Sequence, residues 1–224
     1  MVVLAFALLL AANAAPSGKI AGKITVAGLA PKLANLPVTR DLKICGTSKP
    51  DEALEVGPGG GVKNVVLWVV DGAPPKKPAK TDKKPKLDQE SCAYSPHVLA
   101  TTLGSTVDII NSDQLLHNVR ATLGDGKSFN YAMPLKGHIV PTKMKALGAH
   151  KVTCDVHPWM HAWLVVLPTS EYAVSDGEGN FALEGIAPGK HKVKIWHERL
   201  GEREDEIEVR AGETVAHDVT LNPR

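Results

Sequence analysis

Between Cys154 and Met160 the chain reads Cys154-Asp155-Val156-His157-Pro158-Trp159-Met160, which sets a thiol, an imidazole and a thioether at three-residue steps. Upstream, Leu116-His117-Asn118-Val119 offers a second imidazole. One Cys, two His and a weak axial Met form the donor set of a blue-copper electron-transfer site. Cuprous and cupric ions prefer different geometries. A trigonal set of two imidazoles and a thiolate with a long thioether suits both about equally, so an electron moves with little rearrangement. The expected ligands to a single type 1 copper are therefore His117, Cys154, His157 and Met160, with the metal itself driving deprotonation of Cys154. His161, directly after Met160, is the rival for the axial position.

Such a set demands a particular scaffold. Cys154 ends a strand, and His157 and Met160 ride on the loop after it, so the fourth ligand must come from a neighbouring strand. His117 meets that need, following the strand Val107 to Asn111 through the short connection Ser112 to Leu116. Pro158 stiffens the ligand loop. Asn118 is placed to hydrogen-bond across to the Cys154 loop and brace it.

Strand patterns dominate the chain. Lys19 to Val26 alternates with a period near two, and Val62 to Val70 is a longer apolar run. Val98 to Thr102 and Ser105 to Asn111 flank a Leu103-Gly104 turn. His150 to Cys154 and Trp163 to Leu167 bracket the ligand loop. No segment holds a 3.6-residue apolar period, so the chain reads as all-β. Ala73 to Lys86 is rich in Pro and Lys and reads as a solvated loop, bounded at 73–87. From Glu171 onward, short strands alternate with Gly-centred turns such as Asp176-Gly177-Glu178-Gly179-Asn180, the pattern of a small sandwich. A boundary is expected near Pro168.

The bulk numbers exclude other classes. The 224 residues allow one large or two small domains, and the 43% hydrophobic content suffices for real cores. A formal net charge of +2 argues neither for nucleic acid nor for a membrane surface. Met1 to Ala15 is apolar and carries the small-residue pattern Ala12-Asn13-Ala14, so residues 1–15 are expected to be a signal peptide. That run is too short to span a bilayer, so no transmembrane segment is expected. The mature protein is expected in the periplasm or secreted. Three cysteines in an exported chain suggest one disulfide and one special thiol. Cys154 is special by its neighbours, which leaves Cys45 and Cys92 as the pair, in keeping with an oxidising compartment.

The ligand loop resembles that of the cupredoxins, the plastocyanin and amicyanin family of small blue-copper proteins. It is similar to the amicyanin pattern C-x-x-H-P-F-M. Leu116-His117-Asn118-Val119 resembles the family's H-N-V motif, and Leu103-Gly104-Ser105-Thr106-Val107, running to Asn111, resembles its strand entry. The resemblance spans about Gly61 to Leu167 and implies a Greek-key cupredoxin β-sandwich over 61–167. It also implies that His157 is the exposed ligand through which electrons leave to a redox protein partner. Pro158, Trp159, Leu115 and Met133 are the candidates for an apolar patch around it. Residues 168–224, with Asp176-Gly177-Glu178-Gly179-Asn180-Phe181 and Pro188-Gly189-Lys190-His191, resemble carboxypeptidase-regulatory-like domains and a β-sandwich of some rhamnogalacturonan lyases. Such modules are structural or bind glycan, so a cell-envelope glycan is a second candidate partner, with Trp196, Tyr172 and Phe181 its only aromatics. Residues 16–60 read as an extension. Its strand Gly18 to Ile24 belongs either to this second module or to the copper sandwich.

No nucleophile–base–orienter set stands out, so the chain is not read as an enzyme. An oxidase or reductase would need a second metal site, and no further histidine cluster is apparent in the sequence. His97 reads as structural, and His138, His150, His191, His197 and His217 show no ligand-like spacing. The competing reading is a copper-binding or copper-delivery protein with no electron-transfer role.

Overall fold

The computed structural model describes residues 15–72 and 84–223. The expected signal peptide, Ala15 apart, and residues 73–83 of the Lys/Pro-rich segment lie outside them. That segment ends earlier than its composition suggests, because Lys86–Glu90 is a strand with Leu87 and Gln89 turned inward. The chain is all-β, and it builds two β-sandwiches.

The first sandwich carries the ligand loop. One sheet runs in the order Gly126–Met133, His117–Leu123, Gly148–Thr153, His161–Leu167 and Val98–Thr102. The facing sheet runs His138–Lys143, Thr106–Asn111, Lys86–Glu90 and Ala93–Ser95. Alternation fixes which residues enter the core. Val107, Ile109 and Asn111 point inward from one strand, and Leu87 and Gln89 from its neighbour. With Val119, Ala121, Val152 and Leu164 they form a core that closes around Cys154, Met160 and Met133.

The second sandwich draws on both ends of the chain. Gly18–Val26 pairs with Asn180–Ile186 and with the C-terminal strands Thr214–Ala216 and Val219–Leu221. The N-terminal strand thus belongs to this module and not to the first sandwich. The facing sheet runs Tyr172–Val174, Val66–Val69, Gly189–His197 and Gly201–Val209.

The position of Val66–Val69 corrects the sequence division, which put this strand inside 61–167. The run is apolar on both faces because both faces are covered. Leu67 and Val69 enter the second core beside Ile20, Ile24, Leu183 and Ile195. Val66 and Trp68 face the other way, into an apolar seam with Val98, Val165, Leu167 and Trp196 that joins the two sandwiches. Ser175 pins the segment: its Oγ accepts from Val65 N–H at 2.9 Å and donates to Val62 C=O at 2.7 Å. The turn 177–179 packs so closely on this region that a Cβ on Gly61 would meet Glu178 C=O at 1.9 Å.

The rest of the extension packs on both sandwiches, with Leu54 in the second core and Val38 and Cys45 in the first. A short ribbon pairs Leu36–Pro37 with Ser48–Lys49 and encloses the single-turn helix Leu42–Cys45. A disulfide from Cys45 to Cys92, with Cα atoms 5.3 Å apart, fastens this helix to the first sandwich. Among the described residues no helix is long and apolar enough to cross a membrane.

Leu67 is fully buried in the second core. Leu67→Ala is expected to destabilise the protein by about 2–5 kcal/mol, the range for deleting a buried leucine side chain. Denaturant unfolding of the two proteins measures it.

Candidate metal centre

The ligand loop is a closed turn. Met160 N–H donates to His157 C=O at 2.9 Å, and Cys154 N–H donates to Met160 C=O at 3.3 Å. Pro158 occupies the second position of the His157–Met160 turn, where its fixed φ is already the one required. The two hydrogen bonds bring both ends of the loop together, so Cys154 and Met160 enter the same core. His117 is the first residue of its strand and lies opposite Met133. The connection before it is tied down by buried Asn111, whose Nδ2 donates to Leu115 C=O at 2.9 Å and Met133 C=O at 2.7 Å.

His117, Cys154 and His157 are all buried, with their ligand atoms within 4.8 Å of one another. The Nδ1 atoms of His117 and His157 are 2.8 Å apart, and Cys154 Sγ is 3.8 Å from His157 Nδ1. Each ring has a carboxylate on its far side: Asp113 Oδ2 is 2.9 Å from His117 Nε2, and Asp41 Oδ2 is 3.0 Å from His157 Nε2. A carboxylate only accepts, so each Nε2 carries its proton and each neutral ring is bare at Nδ1. Two lone pairs then face each other at hydrogen-bonding distance beside a thiol. That contact is repulsive unless a proton or a cation lies there, and two imidazoles with a thiolate suit a soft or borderline transition ion. Burial holds the His117 imidazole below its usual pKa despite Asp113, and His157 pushes it the same way. A neutral ring is the form a metal takes up.

Asn118 links the two halves of the site. Its Oδ1 accepts from Asp155 N–H at 2.6 Å and lies 3.5 Å from Cys154 Sγ. Its Nδ2 donates to Asp155 Oδ2 at 2.9 Å, and its own C=O accepts from the Tyr94 hydroxyl at 2.7 Å.

His161 does not join the cluster. Its ring turns toward His97, with centroids 5.2 Å apart, which leaves Met160 as the axial candidate beside Cys154. Cys92, Asp113 and His117 also lie close together, but the Cys92 sulfur is held in the disulfide and is no ligand.

The exposed exit ligand expected from the family resemblance is corrected here. His157 is 0% exposed. The extension covers it, through Asp41 at the start of the disulfide-tethered helix. The expected apolar patch is also mostly internal. Trp159 is buried and donates its indole N–H to Cys92 C=O at 3.1 Å. Met133 is buried with its sulfur accepting from Gln89 Nε2 at 3.1 Å. Leu115 is half-buried, and Pro158 alone of the four is exposed. Leu42, next to Asp41, and Leu116, next to His117, are exposed, as is Ile44 on the same helix as Leu42.

Sequence reasoning missed both carboxylates. Asp113 stood four residues before His117, in a connection read only as a linker. Nothing in the sequence marked Asp41, which lies 116 positions from His157.

No protein-family model matches the chain, and no curated protein matches it. Solved structures do. A mutant amicyanin in its reduced state is 22% identical over 45% of this chain and 98% of its own, with a TM-score of 0.35. A purple cupredoxin from Nitrosopumilus maritimus is 21% identical over 38% of this chain and 100% of its own, with a TM-score of 0.33. A copper-containing nitrite reductase from Thermus scotoductus SA-01 is 19% identical over 42% of this chain, which spans 25% of that enzyme, with a TM-score of 0.34.

Asp113 also accepts from Ser91 N–H and Cys92 N–H, both at 2.7 Å. Asp113→Asn keeps the shape but replaces one acceptor oxygen by a donor. It is expected to weaken metal binding about 10–100-fold, as loss of a ligand's hydrogen-bond partner does elsewhere. A competition titration against a chelator of known affinity measures this.

Proposed function

We propose that this is an exported type 1 copper protein that carries one electron at a time. The observation that carries the reading is the facing pair of Nδ1 atoms beside Cys154 Sγ, with each imidazole oriented by a carboxylate. His117, Cys154 and His157 would hold the ion and Met160 would be its axial neighbour. Bound there, copper supplies reversible one-electron chemistry between its cuprous and cupric states. The chain supplies the rest. Asp113 and Asp41 hold the rings in the ligating tautomer. Asn118 fixes the thiol-bearing loop, and Trp159, Met133 and Tyr94 keep water out.

A redox partner would approach through the extension. Asp41 stands between His157 and solvent, so the docking surface is read as the helix Leu42–Cys45 with Leu116, and not as a bare imidazole edge. The glycan alternative draws no support from its three aromatics. Phe181 lies in the second core, and Trp196 and Tyr172 lie in the seam between sandwiches. A copper-delivery protein remains the competing reading. It would release copper readily, whereas a carrier retains it through repeated oxidation and reduction.

Cu(II) added to the purified protein is expected to give an intense visible thiolate-to-copper band, absent from Cys154→Ser. A pale spectrum unchanged in that variant would sink the proposal. Loss of copper on each reduction would favour delivery. Asp41→Asn keeps an amide oxygen that can accept from His157 Nε2 but removes the negative charge over that ring, and it is expected to speed electron exchange with small anionic redox reagents in stopped-flow measurements. An unchanged rate would place the exit elsewhere.

A further inference from the structure

At the junction of the two sandwiches lies a second group of donors that the thiolate site does not use. His97 immediately precedes the strand Val98–Thr102, and His161 begins the strand His161–Leu167. These strands are parallel neighbours with Val98 opposite Trp163, so both histidines stand at the same end of the sheet. Glu198 arrives from the second sandwich, just after the strand Gly189–His197. The ligand atoms of His97, His161 and Glu198 lie within 4.8 Å of one another. Asp51, from the extension, brings Oδ1 to 3.7 Å from His161 Nε2.

The protonation pattern resembles that of the thiolate site. His161 Nδ1 lies 3.2 Å from Trp159 C=O, an acceptor, so Nδ1 holds the proton and the neutral ring is bare at Nε2. That bare nitrogen faces the Asp51 carboxylate at a distance too long for a hydrogen bond. His97 Nε2 pairs with Glu198 Oε1, so in the neutral ring Nδ1 is bare. The His97 side chain is 1% exposed, and its Nδ1 finds no hydrogen-bond partner among the described residues. A cavity of about 20 Å³ lies here, bordered by Glu52, His97, Met160 and His161. Lys49 also borders it, and Asp51 and Glu198 add carboxylates against His161 and His97.

We propose that His97, His161 and Glu198 form a second metal site for a borderline divalent ion, Cu2+ or Zn2+, built where the two sandwiches meet. Two imidazole nitrogens and a carboxylate are the donors such ions take. Asp51 is placed as a fourth, since ligand atoms about a tetrahedral ion with bonds of 2.0–2.1 Å stand roughly 3.3 Å apart. Binding through the bare His97 Nδ1 and the bare His161 Nε2 displaces no proton from either neutral ring and changes no oxidation state. The site is one peptide bond from the thiolate site, because Met160 and His161 are consecutive. Neither sandwich contains it alone.

The test is copper counting with electron paramagnetic resonance on the full chain, after Cu(II) is added and the excess removed. The expected count is two ions per chain, one of them giving an ordinary tetragonal cupric signal with nitrogen couplings and no thiolate band. Glu198→Gln and His97→Gln should each remove that signal and leave the thiolate band in place. Cys154→Ser should remove the band and leave the signal. Were the thiolate band never to form while the second signal still depended on Glu198, this site would stand and the carrier reading would fall. A count of one with the thiolate band alone overturns the proposal, as does a second signal that survives both variants. Anomalous scattering from copper-soaked wild-type crystals needs no variant. A peak within bonding distance of His97 and His161 supports the site, and its absence there overturns it.

Discussion

Two imidazole–carboxylate hydrogen bonds govern this molecule. Asp113 and Asp41 each hold the proton of one ring at Nε2 and so turn a bare Nδ1 toward Cys154. Without them the same residues at the same positions would be free to choose the other tautomer, and the donor set would not converge. Each carboxylate has its own anchorage. Asp113 is fixed by two backbone N–H groups from Ser91 and Cys92. Asp41 is fixed by a helix whose last residue is bonded to Cys92. Both supports meet at Cys92, so the disulfide and the ligand tautomers belong to one mechanical unit.

That unit explains why the extension is present. A chain beginning at Gly61 would keep every sulfur and imidazole of the thiolate site but lose Asp41 and the cover over His157. It would also lose Gly18–Val26, the strand on which both C-terminal strands of the second sandwich pair. The extension therefore serves both modules.

Legibility followed sequence distance. Cys154, His157 and Met160 share one short loop, and their convergence is a matter of local turn geometry that residue types and spacing reveal. The strand Thr106–Asn111 is equally local, and it was expected one residue longer, from Ser105. Pairings between remote strands were not. Val66–Val69 reads as an apolar run in any all-β chain, and only its partners at Tyr172–Val174 and Gly189–His197 decide its sandwich. The disulfide, though its cysteines are 47 positions apart, was accessible because elimination needs no distance. Asp41 and Glu198 had no such aid. An acidic residue is common, exposed by default and uninformative until a histidine is seen against it.

The two histidine groups share a physical logic with different outcomes. In each, a ring nitrogen is committed to an acceptor, so the other nitrogen is left bare in a buried place. Burial without a partner is costly for a polar atom, and a native fold keeps such an arrangement when something else satisfies it. Around Cys154 the third donor is a polarizable sulfur, which selects an ion able to bond covalently and change charge. Around His97 the remaining donors are carboxylates, which favour a borderline ion held by nitrogen and oxygen. Met160 and His161 are consecutive, Met160 buried in the core that holds Cys154 and His161 set against His97. The loop that positions one set of donors thereby helps to position the other, and a shift in its backbone would be felt on both sides.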